Sequence, residues 1–158
     1  MRRGDREITD ERTIDRILDG AGYLHLGMRD GEFPYVVPLH YGYVREGGRL
    51  VFYMHSATEG HKLDCLRAHP GVCLQIDRGV ALIPSDTPCG YSAAYESVIC
   101  RGTVALVEDV QEKRYALSLL MRTQTGRLFE ISEAMARPVQ IIRVDVTDCT
   151  AKCHRKQA

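Results

Sequence analysis

No run of the 158 residues is long and apolar enough to cross a bilayer, and the N-terminus, Met1-Arg2-Arg3-Gly4-Asp5-Arg6-Glu7, carries charge where a secretory signal would be apolar. A cytoplasmic protein with no membrane partner is expected. An excess of either charge is missing too. Lys plus Arg and Asp plus Glu both total 21, for a net charge of zero, so no basic field exists to draw nucleic acid. Neither the glycine fingerprint of a dinucleotide-binding βαβ unit nor the P-loop spacing occurs, which argues against a resident nicotinamide fold and a nucleotide triphosphatase. Internal repeats and low-complexity segments are also lacking. The length suits a single domain over residues 1–158.

Six cysteines are present, but nothing marks an oxidising compartment, so free thiols are expected. Cys73 and Cys100 lie inside apolar strand patterns and are expected in the core. Cys149-Thr150-Ala151-Lys152-Cys153-His154 has three residues between its cysteines, whereas covalent haem attachment needs two. A zinc site there would require two further ligands from elsewhere. No metal is expected.

What is present reads as strands with a few helices. Thr9 or Asp10 can cap a helix with Ile14, Ile17, Leu18 and Ala21 on one stripe, ended by Gly20 and Gly22. A three-strand meander follows: Tyr23 to Met28, Phe33 to Val44 and Arg49 to His55, with turns at Asp30-Gly31 and Glu46-Gly47-Gly48. A short helix carrying Leu63 and Leu66 ends at His69-Pro70-Gly71. Strand four spans Val72 to Asp77, and residues 78–94 look irregular. Tyr95 to Val107 is a long strand in which Gly102 marks a bulge or close approach. Asp109 caps a helix striped by Val110, Tyr115, Ala116, Leu119 and Leu120 and bounded by Gly126. A second helical segment covers about 128–136, Val139 to Val146 forms the last strand, and a charged tail closes the chain. Six mostly antiparallel strands with inserted helices predict an α+β, mainly β, barrel, because a sheet of that size must hide its edges.

Two segments carry chemistry. In His55-Ser56-Ala57-Thr58-Glu59-Gly60-His61-Lys62, hydroxyls, a glycine and a lysine precede a helix, where free amides, the helix dipole and an ammonium favour an anion such as phosphate. The same residues could also be an ordinary N-cap. In Tyr35-Val36-Val37-Pro38-Leu39-His40-Tyr41-Gly42-Tyr43 a proline interrupts a good strand, which fits an edge with a bulge or a backbone on which a flat ring lies.

The run Phe52 to Lys62, followed by a helix and His69-Pro70, resembles the phosphate segment of the FMN-binding, pyridoxamine 5'-phosphate oxidase-like split barrels. Val36 to Tyr43 is similar to the strand that passes the flavin in that family. Ile83-Pro84-Ser85-Asp86-Thr87-Pro88, then Tyr95-Glu96-Ser97-Val98-Ile99 and Gly102, resemble the nitroimidazole reductase branch. The resemblance implies a six-stranded antiparallel split β-barrel with flanking helices, and a homodimer with two FMN sites built from both subunits. The phosphate would lie near Ser56, Ala57, Gly60, His61 and Lys62, and the ring against Val37, Pro38 and Leu39, with Tyr95 and Ser97 as further contacts. Thr150 and Lys152 would be structural, at the end of the last strand. His55 would stand beside the redox centre as a proton donor to a small electron-poor substrate, with reduced nicotinamide or another cellular reductant as electron source; without the family context it reads equally as a partly buried strand-end residue bonded to backbone. A flavin-storage protein and a haem-binding split barrel are the alternatives.

Overall fold

A computed structural model describes residues 3–154. The first helix, α1 (Glu11–Asp19), follows a two-residue strand, β1 (Glu7–Ile8), and is capped by Asp10, whose carboxylate accepts the Thr13 amide at 2.9 Å. Its stripe of Ile14, Ile17 and Leu18 is buried in the core. The strands β2 (Leu24–Asp30), β3 (Phe33–Leu39), β4 (Tyr41–Glu46) and β5 (Arg49–Ser56) precede α2 (His61–Ala68). Then come β6 (Gly71–Ile83), β7 (Ser92–Val107), α3 (Val110–Thr125), α4 (Glu133–Ala136) and β8 (Gln140–His154). Among the described residues no helix is long and apolar enough to cross a membrane.

Every strand pair is antiparallel, and the order is β3-β2-β6-β7-β8-β5-β4, with β1 added to β8. The two ends of that path, β3 and β4, are consecutive in the chain and meet at His40. The wall is therefore joined there by the covalent chain and not by a ladder, which is the opening of a split barrel. The α+β split-barrel class holds, but the described residues form eight strands in place of six. The run from Phe33 to Val44 is two strands, because the chain leaves β2 at His40 and moves to β5. The expected meander is lost for the same reason: β3 pairs with β2, β4 with β5, and β2 with β6. Much of 78–94 is regular, since Ala81↔Ala94 to Ile83↔Ser92 continue the β6–β7 ladder past an irregularity. The described part of the tail belongs to β8, where Asp148 to His154 pair with β7. Helix in 128–136 is confined to α4, capped by Ser132.

Two-residue alternation sorts the side chains. Val72, Leu74 and Ile76 of β6 face the core and put Cys73 outside; Cys100 is fully buried between Val98 and Gly102. The expectation of a core Cys73 is thus corrected by strand phase. A second apolar cluster lies under α3, where Ala116 and Leu119 cover Val51, Tyr53, Val107 and Ile141. Tyr115 lies at the rim and not in the core, its ring edge-on to Tyr53. Lys113, with a polar head that periodicity would send outward, is buried and donates to the Val139 carbonyl at 3.0 Å.

Two glycines set close approaches. The β7–β8 register shifts at Arg101/Gly102, and a Cβ on Gly102 would strike the Asp145 carbonyl, so the expected bulge is where the sequence put it. At Gly42 a Cβ would run into the backbone of Leu119 and Leu120, which is how β4 and α3 pack. Gly42→Ala is therefore expected to destabilise by about 2 to 3 kcal/mol, the upper part of the overpacking range, lowering the melting temperature by roughly 5 to 10 °C. Gly22→Ala, which meets open space, should change it little. A Gly42→Ala protein as stable as wild type would show that helix and strand do not touch there.

Candidate functional site

The opening between β3 and β4 gathers three cationic or titratable side chains. Tyr41 pairs with Met54, and continuing that register by one residue puts His40 opposite His55. The electrostatics agree, for the His40 imidazole and the Lys62 ammonium both bear on His55. His55 continues the face of Val51 and Tyr53 on β5, yet it is exposed while they are buried. Partial burial first, then His40 and Lys62, hold its pKa below the ordinary histidine value. His40 is fixed by its Nδ1, 2.7 Å from the Gly22 carbonyl. A carbonyl only accepts, so that nitrogen carries the proton. Gln124 of α3 spans the junction, its Oε1 3.2 Å from the same nitrogen and its Nε2 donating to the Tyr41 carbonyl at 2.8 Å.

Lys62 lies one residue inside α2. Its side chain is partly buried, burial lowers its pKa, and no carboxylate forms an ion pair with it among the described residues. The helix start beside it carries no side-chain cap. Gly60 is the N-cap residue, with φ +133° and open space where a Cβ would stand. Its carbonyl takes the amides of Leu63 and Asp64 at 2.8 and 3.3 Å, and those of His61 and Lys62 precede them at the positive end of the helix dipole. A helix start with no side-chain cap, beside a lysine with no ion-pair partner among the described residues, offers free amides and an ammonium to an anion such as phosphate. Ser56 flanks it with its hydroxyl donated to the Ala57 carbonyl at 2.8 Å, and Ala57 is exposed.

The other expected contacts are distributed differently. Pro38 is exposed on edge strand β3, where its missing amide costs no central ladder bond. Val37 and Leu39 are half-buried and pack on the core, so their side chains point to the face opposite that of Pro38. The His61 ring is turned to Asp30, with Nε2 2.7 Å from Oδ2, and packs near Tyr35. Tyr95 and Ser97 pair with His154 and Lys152 at the C-terminal end of β8, whereas Ser56 pairs with Gln140 at its start. A single outward row, Pro38, His25, Gln75, Ile99 and Thr150, crosses β3, β2, β6, β7 and β8. Pro38 and Ile99 are three strand spacings apart, roughly 14 Å of wall, so Ser97 forms a separate patch. His40 was not singled out as a site residue. Its signal lay in its place just past Pro38-Leu39, but the pairing with His55 depends on the chain break between β3 and β4.

Residues 10–153 match the family described as pyridoxamine 5'-phosphate oxidase. The chain also resembles a crystal structure from Bacteroides thetaiotaomicron, assigned provisionally to 5-nitroimidazole antibiotic resistance, at 36% identity over 93% of this chain and 86% of that one, with a TM-score of 0.79. The flavocytochrome Anf3 of Azotobacter vinelandii is 21% identical over 99% and 72% of the two chains, with a TM-score of 0.79. An FAD- and haem-binding protein of Mycobacterium smegmatis is 16% identical over 96% and 74%, with a TM-score of 0.75. At those lower identities the likeness is one of fold. No curated protein matches the chain.

Because its folded-state pKa is depressed, His55 contributes stability that is complete above its unfolded pKa, near 6.5, and is lost as pH falls through the folded value. Ring-proton NMR of the ligand-free protein should place its midpoint below 6.5. A phosphate dianion beside Lys62 should then move it upward. A midpoint that does not respond to saturating FMN would put the phosphate elsewhere.

Proposed function

We propose, on the premise that this chain belongs to the pyridoxamine 5'-phosphate oxidase family, that it is an FMN-dependent oxidoreductase reducing a small, flat, electron-poor compound of the nitroimidazole type. The observation that carries this reading is the unpaired Lys62 beside the uncapped start of α2. An ammonium partly withdrawn from water is favoured by a bound anion, and the phosphate of FMN supplies two negative charges. The 36% identity with the Bacteroides protein supports the substrate class.

The roles divide by position. Lys62 and the amides of His61 and Lys62 hold the phosphate, with the Ser56 hydroxyl joining once it turns from the Ala57 carbonyl. Pro38, exposed on β3 between the inward side chains of Val37 and Leu39, offers its ring as a flat wall for the flavin. When bound, the flavin supplies the electron pair, drawn from a reduced nicotinamide that docks transiently. His55 delivers a proton to the substrate, since nitro reduction consumes protons as well as electrons. Its low pKa leaves it mostly neutral near pH 7 without ligand, and the phosphate raises its proton affinity when the site is filled.

A second copy of the chain completes the site. The outer wall exposes Val36, Ile99, Val80 and Leu82 and carries a shallow groove of about 750 Å³ lined by Gly27, Phe33, Cys73 and Arg101. A two-fold partner seated there would bury this apolar surface and bring its Tyr95 and Ser97 to the flavin.

The test is a titration of FMN and riboflavin into wild type, Lys62→Ala and His55→Ala, with steady-state turnover of a nitroimidazole. Lys62→Ala should weaken FMN about tenfold to a hundredfold, the scale of a charge-assisted contact of roughly 1.5 to 3 kcal/mol, and leave riboflavin nearly unchanged. Equal loss for both ligands would make Lys62 structural. His55→Ala should keep FMN and lose about 10²-fold in kcat. Flavin-loaded wild type that turns over no nitro compound would favour the storage reading.

A further inference from the structure

The proposed flavin chemistry uses none of the side chains of Asp30, His61 and Cys65. Among the described residues, these three bring one carboxylate oxygen, one imidazole nitrogen and one sulfur within 4.8 Å of one another. Asp30 closes β2 at its turn into β3. His61 and Cys65 are the first and fifth residues of α2, and that spacing puts both on one face of the helix. Cys65 Sγ lies 3.6 Å from His61 Nε2. Two ligands at about 2.3 Å for sulfur and about 2.0 Å for nitrogen, at a tetrahedral angle, are separated by close to that distance.

The third edge is tighter, with Asp30 Oδ2 2.7 Å from His61 Nε2. Tetrahedral oxygen and nitrogen ligands stand roughly 3.3 Å apart, so the carboxylate would have to retreat by about half an ångström. It has room to do so, because its side chain is 43% exposed at a turn and that of His61 is 58% exposed. Solvent therefore reaches the mouth of the cluster, while Cys65 closes its floor in the core.

We propose that Asp30, His61 and Cys65 form a three-ligand site for a thiophilic divalent cation of the Zn²⁺ class, with water in the fourth position. The mixed sulfur, nitrogen and oxygen set selects against Mg²⁺ and Ca²⁺, which prefer all-oxygen shells. On binding, the Cys65 thiol gives its proton to solvent and coordinates as thiolate. The site stands on its own side chains and does not depend on the flavin reading.

The test is Zn²⁺ titration of the reduced protein against a chromophoric chelator, with Co²⁺ as spectroscopic probe. Wild type should take up one equivalent, and its Co²⁺ adduct should show visible bands of four-coordinate cobalt and a near-ultraviolet thiolate-to-metal band. Cys65→Ser should remove the ultraviolet band and weaken Zn²⁺ by more than about a hundredfold, beyond the usual cost of losing an outer-shell partner. Asp30→Asn and His61→Gln change exposed side chains, so they decide the matter if the buried substitution disturbs folding; each should weaken binding at least about tenfold. The proposal is overturned if wild type binds neither metal. It is equally overturned if the stoichiometry and thiolate band persist in Cys65→Ser, which would assign them to other cysteines, or if Asp30→Asn and His61→Gln bind as wild type does.

Discussion

A lysine that is partly buried without a carboxylate partner is an uncommon expense in a small domain, and the rest of the site is arranged around it. The ammonium of Lys62 is drawn from water far enough to lower its pKa, while arginines elsewhere on the surface find acids at bonding distance, as Arg16 and Arg78 find Glu96. The turn before Lys62 adds to the imbalance. Gly60 provides no side-chain cap, and its φ of +133° turns the chain into the helix in a conformation that other residues rarely adopt. The ammonium and the free amides of the helix start therefore lie side by side at the head of α2.

The barrel's opening puts that point beside two imidazoles. Between Leu39 and Tyr41 the chain changes partner, from β2 on one end of the sheet path to β5 on the other. His40 and His55 are both exposed at this seam, and neighbouring contacts hold the start of β4 in place: Gln124 bonds to the Tyr41 backbone, and the Tyr41 hydroxyl donates to the Leu18 carbonyl at 2.6 Å. Helix α3 lies close on β4 because residue 42 is glycine. The placement of the two histidines thus depends on contacts well outside them.

The parts of this arrangement legible in the sequence are those set by local chemistry. Asp10 and Asp109 cap the helices they were expected to cap, the β5-to-α2 loop lies where its glycine and hydroxyls put it, and Gly102 marks a real bulge. Features set by partner choice were not legible. Nothing local distinguishes a continuous strand over 33–44 from two strands with different neighbours, and the polar residues after Val146 lack the alternation of a half-buried strand although β7 holds them by its backbone. Phase errors follow the same logic. Cys73 sits in an apolar run, but the buried set is Val72, Leu74 and Ile76. Family likeness pointed to the β5-to-α2 loop as the place for a phosphate, whereas the His61 ring is turned to Asp30, 31 residues away in sequence.

The central claim is that the cradle of Gly60, His61 and Lys62 holds a phosphate dianion, and phosphorus NMR of the protein saturated with FMN tests it most directly. Free phosphomonoesters take up their second proton near pH 6. In the cradle, the ammonium and helix amides should keep the phosphate dianionic, so the bound ³¹P shift should stay constant between pH 7.5 and about 5.5, where free FMN titrates. A bound resonance that titrates as the free cofactor does would place the phosphate in solvent and contradict the account.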